Sequence, residues 1–207
     1  MMHEYSADQA DALREIANIG MGQAGAALAE VLGDYVTLSV PSVQLISADD
    51  VGASVAALFA PDDHGIEPVV AMRQGFAGEI RGEALVLFGE NGCVELADLL
   101  GHDSVDDASV EEELLLDMTN IVTAAVLNGL SQQLEASFRQ SPPAPFARGA
   151  ELERALQPSA VAWTHALFLQ VNFSLEKRRF VCHLVLLMPE ESIGRVRDAL
   201  DRLLDSL

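Results

Sequence analysis

Residues 11–19 read Asp-Ala-Leu-Arg-Glu-Ile-Ala-Asn-Ile, and a related segment, Glu-Leu-Leu-Leu-Asp-Met-Thr-Asn-Ile, occupies residues 113–121. The two segments lie 102 residues apart, and Pro41 and Pro143 follow them at the same distance. A helical pattern that leads twice to a proline at one fixed distance indicates an internal duplication.

The remainder of each half is also alike. Residues 67–89 contain apolar segments that predict two adjacent strands with a connection near residues 81–82, and residues 160–188 predict a second pair around a polar turn at residues 176–179. Each half then ends in a shorter predicted helix, the first at about residues 92–100. The second such helix carries apolar residues at helical spacing, namely Ile193, Val196, Leu200, Leu203 and Leu204.

One segment differs between the halves. The first half has a predicted strand around residues 36–46, whereas the matching segment is interrupted by prolines at residues 142, 143 and 145 and predicts an irregular connection or an edge segment. Because no glycine- or serine-rich linker separates the halves, we predict one pseudo-symmetric domain over residues 1–207. Its repeats span about residues 6–101 and 106–207.

Composition excludes several classes of function. The net charge of −20 opposes binding to nucleic acid and to an anionic membrane surface, because both need clustered basic residues. The sequence has no uninterrupted apolar run of about 18 residues and no secretory signal at its start, so a soluble cytoplasmic protein is expected. Cys93 and Cys182 lie in apolar segments and are expected to be buried thiols, and the five histidines have no zinc-like spacing, so no metal site is predicted.

The first helix carries a polar stripe. Asp11, Glu15, Asn18 and Gly22 recur at the spacing of one helix face. The opposite face is apolar and predicts the packing side, with Leu13, Ile16, Ala17, Ala24, Leu28 and Val31. The second long helix has a corresponding stripe of Glu113, Asp117, Asn120 and Ala124.

Exposed acidic and amide side chains on an amphipathic helix are ordinarily solvated residues without a special role. Here, however, an asparagine, a mediocre helix former, stands in the middle of a helix at the same register twice. A carboxamide can orient a water molecule and a carboxylate can bind a lysine or arginine. The pair therefore suits an enzyme that inserts into a phosphorylated site of another protein.

These residues resemble the CheC, CheX and FliY phosphatases of bacterial chemotaxis. The family motif is Asp or Ser, three residues, Glu, two residues, Asn, twenty-two residues and Pro, and Asp11, Glu15, Asn18 and Pro41 match it. The resemblance implies an α+β fold with two long antiparallel-packed helices on one face of a roughly six-stranded, mainly antiparallel sheet.

The resemblance also implies an activity, namely hydrolysis of the aspartyl phosphate of a CheY-like response regulator. Glu15 would bind the active-site lysine of the receiver, Asn18 would position the attacking water, and Asp11 would lie near the interface. The small residues Gly22 and Ala124 would let the partner approach closely. No cofactor is expected on this chain, because the Mg²⁺ belongs to the phosphorylated receiver.

The second stripe departs from the motif. Asp117 replaces the expected Glu and Glu113 replaces the expected Asp or Ser, whereas Asn120 and Pro143 fit. Aspartate is one methylene shorter than glutamate, so we expect the second site to be weakened but active. Two motif copies favour the CheC-like branch, which is typically monomeric, and a CheD-like receptor deamidase is a further candidate partner.

Two other functions are compatible with the sequence. The first is a non-catalytic receiver-binding or adaptor protein in a two-component pathway, which would keep the surface without turnover. The second is a small-molecule binding module that uses a groove between the halves, for which a deep apolar pocket away from the stripe would be the sign.

Overall fold

The chain folds into an antiparallel sheet, built of long and short strands, with helices packed on both of its faces. The computed structural model describes residues 5–39, 42–58, 69–89, 96–97, 108–149, 151–157, 165–175 and 181–205. The helices are α1 (Ala7–Leu32), α2 (Ala48–Ala57), α3 (Ala108–Leu134), α4 (Glu151–Ala155) and α5 (Glu190–Asp205). The strands are β1 (Val36–Leu38), β2 (Ser42–Ser47), β3 (Val69–Gly78), β4 (Gly82–Gly89), β5 (Phe138–Gln140), β6 (Ala144–Arg148), β7 (His165–Leu175) and β8 (Val181–Pro189).

The described strands form one sheet with six rows. Its order is β1, β7, β8, β4, β3, β5, while β2 also pairs with β7 and β6 also pairs with β3. Each outer row therefore consists of two short strands, which is why eight strands correspond to the roughly six predicted. The edge strands of each half pair with the other half, since β1 and β2 join β7 whereas β5 and β6 join β3.

Alternation along the strands divides the core between the two faces of the sheet. On one face α1, α3 and α5 cover a large apolar cluster that includes Met72, Val86 and Leu184. On the other face a smaller cluster lies under α2 and α4, with Leu85 and Val185 fully buried. The two long helices therefore share one face, as the α+β fold expected from the sequence requires.

Several local expectations are confirmed and others are corrected. The hairpin of β3 and β4 and the C-terminal helix lie where they were predicted. The single strand expected around residues 36–46 is instead two strands, β1 and β2, and α2 was not predicted. The proline-rich segment is an edge, as expected, but it forms the short strands β5 and β6. Pro145 is tolerated in β6 because this outer strand pairs with β3 on one side only, so its other side needs no backbone N–H donors.

The apolar face of α1 was predicted correctly except at Val31, which is 47% exposed. Beyond Gly25 the buried side of α1 continues through Leu28 and Leu32, and Val31 lies beside it on the solvent edge. Of the predicted helix at about residues 92–100 the structure describes only residues 96–97, and these two are helical. The predicted turn at residues 176–179 lies outside them entirely.

The two long helices touch through glycine. A Cβ added to Gly129 would lie 2.1 Å from the Gly20 Cα, so the backbones of α1 and α3 are in direct contact there. Gln23 and Gln132 continue this contact at the surface, where the Gln23 amide donates to the Gln132 Oε1 at 3.2 Å. Only glycine permits such an approach between two helices, so this crossing fixes how α1 is placed relative to α3.

Helix α3 is long and apolar enough to cross a membrane. Its most apolar 18-residue window has a mean hydropathy of 1.4, and 56% of that window is buried inside the fold. The helix contacts α1, β3 and α5 along its length. Its apolar character is therefore accounted for by packing as a core helix.

We expect acid destabilisation through His183 on β8. Burial lowers the pKa of this imidazole from 6.5 to about 4, and its Nδ1 lies 2.6 Å from the Asn172 Oδ1. Between pH 6.5 and 4 the unfolded chain binds a proton that the folded chain does not, so the free energy of unfolding falls as the pH falls. From pH 7 to pH 5 the wild type is expected to lose about 2 kcal/mol more than His183→Gln in urea unfolding. Equal losses in the two proteins would contradict this role.

Candidate functional site

The start of α1 is fixed by its own cap and by α5. Ser6 accepts a hydrogen bond from the Gln9 backbone while the Gln9 side chain accepts from the Ser6 backbone, which is a complete capping box. The Gln9 amide also donates to Asp201 of α5 at 2.6 Å. These contacts hold the first turns, so the stripe of α1 is presented by a helix anchored at its N-terminus as well as at the glycine crossing.

The stripe predicted on α1 faces solvent. Glu15, Asn18 and Gly22 are all exposed, and nothing lies within 4 Å of a Cβ added to Gly22. Asp11 is exposed as well, but its carboxylate is paired with Arg14 one turn along the same helix. Glu15 and Asn18 are three residues apart, which places them about 4.5 Å apart along the helix axis. The structure therefore brings the carboxylate and the carboxamide together on an open surface.

The second stripe on α3 is similar in outline and different in detail. Glu113, Asp117 and Asn120 are exposed, but Ala124 is half-buried and so is less open than Gly22. The Asn120 Oδ1 accepts a hydrogen bond from the Gln74 Nε2 at 3.0 Å. Among the described residues Asn18 has no comparable side-chain bond. The two asparagines, equivalent in the sequence, therefore have different surroundings.

The proline that completes each motif in the sequence is Pro41 in the first half and Pro143 in the second. Pro143 is half-buried between β5 and β6, where the chain turns along the edge of the sheet. Pro41 lies outside the described residues.

Two residues near the stripes were not identified from the sequence. Ile19, next to Asn18, is 36% exposed and gives the surface of α1 an apolar element, whereas its counterpart Ile121 packs against the core. Gln74 is only 1% exposed. Side chains of β3 alternate between the two faces of the sheet, and Gln74 lies on the same buried face as Met72 and Phe76. A polar residue at a position where the pattern predicts an apolar one is the feature of the sequence that could have identified it.

No deep pocket adjoins either stripe in the described part of the chain. A groove of about 280 Å³ lies between β3, β6 and the beginning of α3. It is lined by Glu112 and Leu115 of α3, which face away from the stripe, and by Phe146 and Arg148 of β6. Arg148 also forms an ion pair with Glu111 at 3.0 Å. The stripe residues thus lack the enclosure that a small-substrate enzyme needs.

The titratable and metal-binding groups of the described residues offer no rival site. Within the described ranges no three His, Cys, Asp or Glu side chains are grouped so as to hold a metal ion. Cys182 is fully buried beneath the long helices, and desolvation raises the pKa of its thiol far above the ordinary value. This thiol is therefore a core residue, as predicted, while Cys93 lies outside the described residues.

Comparisons with known proteins agree with the fold and relate one segment of the chain to a known family. Residues 9–45 match the model of the CheC-like family, and this segment contains the whole stripe of α1. The solved structure of FliY from Thermotoga maritima is similar, with a TM-score of 0.73, 15% identity, and coverage of 97% of this chain and 100% of that chain. A chemotaxis protein CheX from Desulfovibrio desulfuricans has a TM-score of 0.53 at 15% identity, covering 83% and 99%. The FliM middle domain from H. pylori has 0.60 at 14% identity, covering 94% and 99%.

Proposed function

Since the sequence match and the shared fold together support the CheC-like family for this chain, we propose that it is a phosphatase of a chemotaxis response regulator. Its substrate is the aspartyl phosphate of a CheY-like receiver domain. The observation that carries this proposal is the exposed Glu15 and Asn18 pair on an anchored helix, with no pocket around it. Such a pair is useful only when another protein supplies the rest of the active site.

In this mechanism the helix inserts beside the phosphorylated aspartate of the partner. Glu15 accepts hydrogen bonds from the receiver lysine and so fixes the docking position. Asn18 accepts a hydrogen bond from a water molecule with its Oδ1, which directs the water lone pair at phosphorus. The new P–O bond forms as the bond to the aspartyl oxygen breaks, leaving a carboxylate and inorganic phosphate.

The partner brings the remaining groups. The receiver contributes the phosphoaspartate, the lysine and the Mg²⁺, so the chain requires no cofactor of its own. Asp11, Gly22, Glu113 and Ala124 would lie in the contact surfaces around the two pairs, with Asp117 and Asn120 as the second and weaker catalytic pair. A cytoplasmic monomer is the form that we propose, with no nucleic-acid or membrane partner, and a CheD-like receptor deamidase as an additional partner.

A second candidate is a non-catalytic receiver-binding or adaptor protein. The adaptor is kept as a candidate because the FliM middle domain has a similar fold. A shared fold can serve proteins with different functions, so the fold alone does not decide whether this chain is an enzyme. A small-molecule binding module has less support, because the grooves among the described residues carry charged side chains such as Arg148 and Arg202 and do not form a deep apolar pocket.

The deciding experiment measures phosphate release from a receiver charged with acetyl phosphate, with and without this protein. The phosphatase is expected to accelerate release catalytically, at substoichiometric concentrations. Receiver binding without acceleration would instead establish the adaptor. Receivers encoded near the gene are the substrates to test first.

The encounter with the receiver is expected to depend on salt. The net charge of −20 attracts basic groups of a partner over long distances. Raising the ionic strength from about 0.01 M to about 1 M shortens the Debye length from about 30 Å to about 3 Å. We expect kcat/KM to fall at least about tenfold over this range while kcat changes little. A kcat/KM independent of salt would contradict electrostatic steering.

A further inference from the structure

The side chain of Gln74 links the second site to the sheet. Gln74 lies on β3 beneath α3, and its Nε2 donates to the Ser141 carbonyl at 2.9 Å and to the Asn120 Oδ1 at 3.0 Å. A third acceptor, the Gln140 Oε1, is at 3.4 Å. One buried amide thus connects the edge strand, the connection after it and the catalytic candidate on α3.

These contacts fix which way both amides point. A backbone carbonyl can only accept, so the group of Gln74 that faces Ser141 must be its NH₂. The atom of Asn120 that faces the same NH₂ must then be its carbonyl oxygen. Asn120 therefore turns its acceptor towards the sheet and presents its NH₂ to any partner that docks on α3.

Among the residues that the structure describes, the first site shows no equivalent of this contact. Met72 pairs with Pro145 in β6 and Leu169 pairs with Val43 in β2, and residues 43 and 145 are related by the 102-residue repeat. Counting two residues further along each strand, the position that corresponds to Gln74 is residue 171, which in the sequence is valine rather than glutamine. The difference between the two asparagines therefore originates in the sheet.

We propose that Gln74 is a positioning residue that holds Asn120 with its carbonyl inward and thereby lowers turnover at the second site. This inference rests on the proposed phosphatase function. A water molecule that attacks phosphorus must donate its hydrogen to an acceptor, and at Asn120 one of the two lone pairs of that acceptor is already occupied. The restraint adds to the shorter side chain of Asp117, which alone would displace only the lysine contact.

Gln74 is not needed for a well-satisfied core. Its Oε1 is buried and has no hydrogen-bond partner among the described residues, and such an atom costs stability. Methionine has the same unbranched length and lacks polar hydrogen-bonding groups, so Gln74→Met is expected to fold. Gln74→Leu provides a second variant if the methionine form lowers the thermal midpoint.

The test isolates each site with an alanine variant. In an Asn18→Ala background, which leaves the second site, Gln74→Met is expected to raise kcat by about three- to tenfold, because one hydrogen bond biases the carboxamide by that amount. KM is expected to stay the same, since the docking surface is unchanged. The matched control repeats Gln74→Met in an Asn120→Ala background, where kcat should not change.

An unchanged or lower kcat in the first background would overturn the proposal. A readout that needs no activity is the χ1 coupling of Asn120 by NMR, which is expected to report one rotamer in the wild type and averaged rotamers in Gln74→Met. Averaged couplings in the wild type would also overturn it. Failure of the phosphatase function itself would appear differently, as wild-type protein that never accelerates phosphate release although Asn120 is held in one rotamer.

Discussion

Asn18→Ala is expected to lower the rate of phosphate release by about 10- to 100-fold, whereas Asn120→Ala should change it by less than about twofold. Loss of the group that aims the water removes positioning that is worth roughly 100-fold at a well-formed site. The residual rate then comes from the second site, where Asp117 is short and Asn120 is held by Gln74. The measurement is steady-state release from a phosphorylated receiver at saturating and limiting concentrations.

A matched control for Asn18 exists on the same helix. Gln23 is also an exposed amide of α1, but it lies off the stripe and bonds to Gln132. Gln23→Ala should therefore leave release unchanged. If Asn18→Ala and Asn120→Ala caused equal losses, the two sites would be equivalent and the asymmetry would be wrong. If neither caused a loss while the wild type remained active, the chemistry would have to be elsewhere.

Gly129→Ala is expected to destabilise the fold by about 2–3 kcal/mol or more, because the new Cβ would lie 2.1 Å from the Gly20 Cα. The atom that it meets is backbone, so α1 and α3 must separate along their contact. Helix propensity acts in the opposite direction, since alanine is about 1 kcal/mol better than glycine inside a helix. The overpacking dominates because no flexible side chain can move aside. Urea unfolding gives the difference.

Two other glycines form a graded series with Gly129. At Gly20 an added Cβ would approach the Val126 carbonyl oxygen at 3.1 Å, so a small net effect is expected. At Gly22 nothing lies within 4 Å, and Gly22→Ala is expected to stabilise by up to about 1 kcal/mol through helix propensity alone. Destabilisation at Gly22 equal to that at Gly129 would show that the crossing is not the cause.

Local pattern was sufficient to predict most of what positions the site. The spacing of Leu13, Ile16 and Leu28 determined which side of α1 is buried, and Glu15 and Asn18 are exposed as a result. Val31 was wrong because the end of a helix is covered only where a neighbour happens to lie, and periodicity contains no information about neighbours. The burial of the two long helices on one face of the sheet followed from the family resemblance and is confirmed.

Contacts between distant segments could not be predicted. Gln74, Asn120 and Ser141 are brought together by the register of β3 against β5 and β6, which joins the two halves of the chain. Nothing in the neighbourhood of Gln74 in the sequence specifies that register. The contact between Gly20 and Gly129 is of the same kind, since each glycine alone is an ordinary weak point in a helix. The roles of the eight stripe residues are proposals, and the substitutions at Asn18 and Asn120 test two of them.

The exchange of edge strands has a consequence for synthesis of the chain on the ribosome. When the first half has emerged, β3 and β4 can form their hairpin, but the outer partners of β3 begin only at residue 138 and those of β4 at residue 181. Strands β1 and β2 likewise wait for β7. The nascent chain thus carries unpaired strand edges until β7 and β8 have been made, a period in which such edges are open to aggregation.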